Sequence, residues 1–221
     1  MQTSESGLAG TRRDAFTLIE IIGVVALIAV LAAVLAPRVT SVMGRGKVNA
    51  TAQALAGLKT ATLDYLSVKT SLPYRFGVGE NNADQKDGRF DADLVAGGFT
   101  EKLFCCSLGE QRFDDSALTD RTHVRSVPVS SASKTVSVPD VGEGGTFYDL
   151  DRNPSNLEMV PGQMVVTAFI PRVRLSEAIA LNQLIDGEVN PAKGGDAVGR
   201  CLYSEPDVGN LVTLYVYIAH L

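Results

Sequence analysis

The residues able to do chemistry in this chain are few and widely separated. The two histidines, His123 and His220, lie in no nucleophile or metal-binding motif, so both are expected to be surface or structural residues. The sequence has no Gly-x-Ser-x-Gly elbow and no His-Glu-x-x-His motif, and the stretch GEGG (142–145) lacks the Lys-Ser/Thr of a phosphate loop. These absences predict that the chain is not an enzyme and uses no cofactor.

One segment has the spacing of a calcium loop. DLDRNPSNLE (149–158) places oxygen-bearing side chains at alternate positions, namely Asp149, Asp151, Asn153 and Ser155. However, Pro154 stands where such loops need Gly, and no acid follows at the twelfth position. A turn rich in Asp and Asn is therefore the preferred interpretation, and no metal site is predicted.

Three cysteines, Cys105, Cys106 and Cys201, form an odd set. Because a disulfide between adjacent cysteines is sterically awkward, the possible disulfide joins one of Cys105 and Cys106 to Cys201 and leaves one free thiol. The alternative is three reduced, buried cysteines. The redox compartment decides between the two, and the sequence leaves both open.

Residues 16–36 form an apolar run that carries one carboxylate, Glu20. As a helix, this run is about 31 Å long, which matches a hydrocarbon core of about 30 Å. The apolar region of a cleaved secretory signal is shorter, and here Pro37-Arg38 follows in place of a small-residue cleavage site. The run predicts a single transmembrane helix, so the membrane is an expected partner.

Charge is distributed unevenly along the 221 residues, whose formal net charge is -5. Residues 38–71 contain five Lys or Arg and one acid, Asp64, whereas residues 72–221 contain 13 basic and 21 acidic residues. A nucleic-acid-binding domain needs a basic face, so the acidic C-terminal part argues against a nucleic-acid partner. The basic residues lie beside the apolar run.

Residues 15–20, AFTLIE, followed by the apolar helix, resemble the N-terminal processing signal of type IV pilins and type II secretion pseudopilins. The resemblance implies that residues 1–15 are a leader, with Arg12 and Arg13 as its basic part. It also implies that prepilin peptidase cuts between Ala15 and Phe16 and methylates the new N-terminus at Phe16. Pro37 falls where this family often has a helix-kinking proline.

The resemblance also gives Glu20 a role in assembly. An ionised carboxylate in hydrocarbon costs several kcal/mol unless it is paired or protonated. In the family, this carboxylate pairs with the N-terminal amine of a neighbouring subunit and sets the axial register of a filament. The alternative is that Glu20 lies at the membrane interface and reaches water.

The function implied is that of a structural subunit of a type II secretion pseudopilus or, less favoured, of a type IV pilus-like filament. The implied partners are prepilin peptidase, other copies of the chain or related pseudopilins, and the inner-membrane assembly machinery. The implied location is the inner membrane, crossed once, with the head in the periplasm or extracytoplasmic space. The competing hypothesis is a membrane-tethered extracytoplasmic binding or enzymatic domain that does not polymerise.

The remaining elements follow from periodicity. Residues 37–71 are predicted to continue the helix, because apolar residues recur every three or four positions, at Val48, Ala52, Leu55, Leu58, Thr62 and Leu66. Residues 72–221 are predicted to form a mixed head. It has helical turns on both sides of Gly97-Gly98, strands within 124–139, 144–151, 162–171 and 210–221, and a helix over 175–186 capped by Ser176. The predicted fold class is α+β, with a long N-terminal helix packed on a small antiparallel sheet, as in pilins.

Overall fold

A computed structural model describes residues 18–73, 75, 89–109, 122–129, 148, 150, 162–187 and 199–221. The processing residues Ala15 and Phe16 and nearly all of segment 149–158 lie outside the described residues, as do the predicted strands at 134–139 and 144–147. The chain divides into two compact units, one up to Met43 and one from Gly44 to Leu221.

Helix α1 spans Leu18–Val68, with Pro37 inside it. The prediction that the helix continues past Pro37 is confirmed, although it ends three residues before the predicted limit of Ser71. Leu72-Pro73 follow its end, where a proline disfavours helical backbone at the residue before it.

In the second unit, α1 buries one face. The buried residues are Val48, Thr51, Leu55, Leu58, Ala61 and Thr62. The predicted stripe is thus confirmed at Val48, Leu55, Leu58 and Thr62. The Thr62 Oγ1 hydroxyl donates to the Leu58 carbonyl at 2.8 Å, which lets a polar side chain lie in the core without an unpaired donor.

Four strands form an antiparallel sheet, β1 (His123–Pro128), β2 (Met164–Arg174), β3 (Cys201–Tyr203) and β4 (Leu211–His220). Their order is β1-β2-β4-β3. Two short helices accompany the sheet, α2 (Phe90–Ala96) and α3 (Leu175–Asp186). The α+β class, the long apolar N-terminal helix and the small antiparallel sheet are confirmed.

The sheet is buried on both faces. Side chains of one face, among them Val124, Ala168 and Val216, share a core with α1, α2 and α3. Alternate residues point the other way, because successive side chains of a strand lie on opposite faces. Together with Val129 and Tyr148, which lie outside the four strands, they form a second buried cluster of Val127, Val165, Phe169, Leu202 and Tyr215.

Three local predictions were wrong. Strand β2 does not end at Pro171, because a register shift between Ile170 and Val173 forms a bulge there, and bulges tolerate proline. Helix α3 begins at Leu175 with Arg174 in the cap position, so Ser176 lies inside the helix and does not cap it. Helical structure stops at Ala96, and the residues after Gly98 form no second helical turn within 99–109.

Two side chains of α3 form hydrogen bonds with the backbone at the outer edge of the short strand β3. Asn182 Nδ2 donates to the Cys201 carbonyl at 2.5 Å. The Asp186 carboxylate accepts the backbone N–H groups of Arg200 at 3.0 Å and Cys201 at 2.8 Å. Gly187 then ends α3 in a left-handed conformation with φ 87°, and its N–H donates to the Gln183 carbonyl.

Candidate functional site

The described residues of the first unit, 18–43, are helical, and their apolar side chains are exposed. Those more than half exposed include Leu18, Ile19, Ile21, Ile22, Val24, Val25, Leu27, Ile28, Val30, Leu31, Val34 and Leu35. Burying one such side chain is worth about 1.5–3 kcal/mol, so a helix of this kind is stable only in lipid or against other apolar surfaces. Among the described residues, α1 is the one helix long and apolar enough to cross a membrane.

Glu20 is the single charged residue between Leu18 and Pro37 and lies in the first turn of α1 as described. This position places a negative charge near the positive end of the helix dipole, which is favourable by about 0.3–1 kcal/mol at an exposed site. The residues that would create an amine beside it, Ala15 and Phe16, lie outside the described part. The pairing of Glu20 with an amine therefore stays a prediction.

Pro37 is followed by two hydroxyl side chains that bond back to the helix. Thr40 Oγ1 donates to the Pro37 carbonyl at 3.0 Å, and Ser41 Oγ donates to the Arg38 carbonyl at 2.9 Å. A proline removes one backbone donor, and such hydroxyl bonds bend helices slightly, so both features favour a bend at this point.

The second unit contains a cleft of about 380 Å³ between α1, α2 and the segment after α2. Its lining is mostly apolar and includes Leu58, Leu94, Leu103 and Phe104. This volume falls within the range of about 300–1,000 Å³ that is typical of ligand pockets. The cleft was not predicted from the sequence, because its lining residues on α1 and those on α2 and after it are 33 to 51 residues apart in the chain.

One buried carboxylate holds the wall of this cleft. Asp91 is 1% exposed, and its carboxylate accepts from Arg89 Nε at 3.1 Å and Nη2 at 2.6 Å. It also accepts the backbone N–H of Phe104 at 2.9 Å, which fixes the segment after α2 against that helix. Asp91 therefore positions the cleft lining and is fully occupied in doing so.

All three cysteines are free thiols in the structure, so it contains no bridge to Cys201. Cys105 is exposed and lines the cleft. Cys106 is buried and its thiol donates to the Leu108 carbonyl at 3.3 Å. Burial raises the pKa of the Cys106 thiol to about 11. Its hydrogen bonds lower the pKa, but by less than burial raises it. Cys201 lies buried in β3.

The three thiols should differ in reactivity towards iodoacetamide in the folded protein. We expect Cys105 to be alkylated first at pH 8, because the thiolate is the reacting form and Cys105 is exposed. A shift of the Cys106 pKa from 9.0 to about 11 lowers its thiolate fraction about a hundredfold. Peptide mass mapping over time measures this order. Equal labelling of Cys105 and Cys106 before unfolding would contradict it.

Both histidines have structural surroundings. His123 is fully buried on the second face of the sheet, where its Nε2 accepts from Arg125 Nε at 2.6 Å. The Arg125 guanidinium lies 4.3 Å from the centre of the Phe169 ring, a favourable cation–π distance. His220 is partly buried, and its Nδ1 bonds the Tyr217 hydroxyl at 2.5 Å. Within the described residues, no group of three His, Cys, Asp or Glu side chains can hold a metal ion.

No family model, no curated protein and no solved structure matches this chain.

Proposed function

We propose that this chain is the structural subunit of a membrane-anchored filament, a pseudopilin of a type II secretion system or a closely similar pilin. Prepilin peptidase removes residues 1–15 on the cytoplasmic side, and the mature chain, beginning at Phe16, polymerises through its N-terminal helix. The head then lies on the periplasmic side of the inner membrane. The resemblance of residues 15–20 to the family's processing signal is the reason for choosing this family.

The observation that carries the proposal is the pairing of an exposed apolar helix with one carboxylate in its first turn. A helix that served only as a tether has little need of Glu20, since its carboxylate gains only about 0.3–1 kcal/mol from the helix dipole and is costly in hydrocarbon unless it is paired. A neighbouring chain that presents a positive amine at the same depth offsets this cost. It also supplies a directional contact, which apolar side chains do not.

Apolar contacts alone cannot set a filament's register. In a bilayer, lipid tails compete with helix side chains equally well, so association depends on close packing and on polar pairs. A carboxylate–amine pair in low dielectric is strong and depends steeply on distance. One such pair per subunit therefore fixes the axial step between chains. Contacts between apolar side chains alone would permit several different axial steps.

The test is the identity of the mature N-terminus. We expect protein extracted from membranes of cells with active prepilin peptidase to begin at Phe16 and to carry one methyl group there. Intact-mass measurement and N-terminal sequencing determine this directly. Recovery of chains that still begin with Met1 would contradict the proposal.

A variant pair makes this test specific. Ala15→Leu should block processing, because a bulky residue before the cut does not fit a narrow site. Ala9→Leu makes the same change elsewhere in the leader and should leave the mature mass unaltered. Equal processing of both variants would show that the residue before Phe16 is not read by the peptidase.

A further inference from the structure

Three positive charges follow the apolar run of α1 closely in the chain. They are Arg38, Arg45 and Lys47, and all three residues are exposed. No acid occurs in residues 21–63, so no carboxylate of this helix lies close to any of them. Within the described part of the chain, no ion pair engages these three cations either. Residues 38–47, which we call the basic segment, therefore carry positive charge that the protein does not compensate.

The basic segment also exposes apolar side chains between its charges. Val39, Val42 and Met43 are each more than half exposed. The hydroxyl groups of Thr40 and Ser41 already donate to carbonyls of the helix, so they bring no unpaired donor into apolar surroundings. Long cationic side chains among apolar ones are typical of the boundary between acyl chains and headgroups, where the stem lies in the apolar layer and the charge reaches the polar one.

We propose that the basic segment binds the headgroups of anionic phospholipids at the membrane face where the apolar run ends. Of the helices in the described ranges, only α1 is long and apolar enough to cross a bilayer, and the basic segment directly follows its apolar run. A chain that enters the bilayer with this run brings the basic segment to the membrane surface. The phosphate of an anionic lipid supplies the negative charge that the protein lacks there.

An acidic protein surface is the competing partner, because residues 72–221 carry 21 acidic and 13 basic residues. The exposed Val39, Val42 and Met43 favour lipid over such a surface. An acidic patch pairs with the cations but leaves these apolar side chains in water, whereas the acyl boundary takes up both. The apolar run also holds the basic segment against the bilayer, so headgroups are present at high effective concentration.

The lipid contact acts on the chain whether or not it polymerises. Any movement of the basic segment away from the membrane surface has to break contacts between cations and phosphates. In the proposed filament, a subunit that leaves the bilayer gives up these contacts, so lipid composition becomes a factor in assembly. The inference rests on α1 entering a membrane and depends neither on processing at Phe16 nor on Glu20.

The absence of tryptophan from the sequence allows a direct test. Val42→Trp in the full chain places a single indole in the basic segment, at a residue that is 66% exposed. The protein is reconstituted in vesicles of equal parts phosphatidylglycerol and phosphatidylcholine, with a bromine quencher on one lipid at a time. We expect brominated phosphatidylglycerol to quench more strongly, with about a fivefold preference at lipid sites beside a cation.

Salt provides a second readout in the same protein. Raising the ionic strength from about 0.15 M to 1 M shortens the Debye length from about 8 Å to about 3 Å, so the preference for phosphatidylglycerol should fall. This measurement needs only the Val42→Trp chain, and it stays informative if a variant with several substitutions does not insert. A preference that salt leaves unchanged would contradict an electrostatic contact.

Neutralising the basic segment tests the assignment to its cations. Arg38→Gln, Arg45→Gln and Lys47→Gln, combined in the Val42→Trp chain, should bring the preference close to one. The decrease is expected because uncharged side chains do not distinguish an anionic headgroup from a zwitterionic one.

The matched control removes the same charge from exposed residues further along the chain, by Lys59→Gln, Lys69→Gln and Lys102→Gln. It should keep the preference. Equal quenching by the two lipids in the Val42→Trp chain, or quenching by neither, overturns the proposal. If neutralising the basic segment leaves the preference unchanged but weakens cross-linking between copies, the partner is an acidic protein surface and the proposal is wrong. The mature N-terminus is measured separately, so failure of the lipid contact and failure of processing can be told apart.

Discussion

Glu20→Ala should leave the protein inserted in the membrane but abolish its assembly into ordered filaments. Insertion is retained, because the substitution makes the helix more apolar and removes a charged group from its first turn. In the proposed filament, assembly fails because the amine at Phe16 of each neighbour would have no carboxylate to pair with. The apolar contacts that remain are not directional enough to select one register.

Cross-linking between chains in membranes tests this expectation. The unmodified protein should give a ladder with an amine-reactive reagent, and Glu20→Ala should give at least about tenfold less, since losing even 1.4 kcal/mol of pairing lowers association tenfold. Val24→Ala removes a comparable volume from an exposed apolar position one turn further along and should retain the ladder. Glu20→Gln, which keeps the shape without the charge, should behave as Glu20→Ala does.

The same comparison decides between the filament and its alternative. If Glu20→Ala and the unmodified protein both remain monomeric, polymerisation through the helix is excluded. The chain would then be a membrane-tethered domain, and its cleft would be the place to look for a ligand.

Asp91→Ala should destabilise the head by about 3–5 kcal/mol. The substitution removes one partner of a buried ion pair and leaves the Arg89 guanidinium without its carboxylate. It also leaves the Phe104 N–H without an acceptor, so the segment after α2 is no longer fixed. Because a domain of this size is stable by only about 5–15 kcal/mol, the loss is a large share of the total.

Urea unfolding of the purified chain, followed by circular dichroism, measures this loss. Asp93→Ala is the matched control on the same helix, because Asp93 pairs with Arg75 while both side chains are about a quarter exposed. An ion pair with this access to water contributes at most about 1 kcal/mol. If the two substitutions lowered the free energy of unfolding equally, burial of the Asp91 pair would not be the reason for its effect.

The periodic spacing of apolar residues allowed several helices and strands to be predicted from the sequence. Helix α3 was predicted with both of its limits, because apolar residues recur every three or four positions and Gly187 follows. Strand β4 was predicted from a weak alternation of apolar and polar residues. In α1, the apolar run and the stripe after Pro37 each gave a clear pattern.

The features that were missed depend on contacts between distant segments. Proline was read as the end of β2, whereas the pairing with β4 absorbs Pro171 in a bulge. The sequence left open whether His123 is a surface or a structural residue; it is buried on the second face of the sheet, where Arg125 and Phe169 contact it. The cleft and the role of Asp91 require Phe104 to meet α2, which no local pattern indicates.

The side-chain hydrogen bonds at the outer edge of β3 protect the heads from aggregation when they are crowded together. An open strand edge recruits further strands from other molecules and so starts aggregation. Here Asn182 and Asp186 already occupy the Cys201 carbonyl and N–H that point away from β4. A foreign strand that approached this side would have to displace both side chains before it could bond the backbone of Cys201. At high local concentration, the heads are therefore protected on this side from uncontrolled sheet growth, and ordered contacts have time to form.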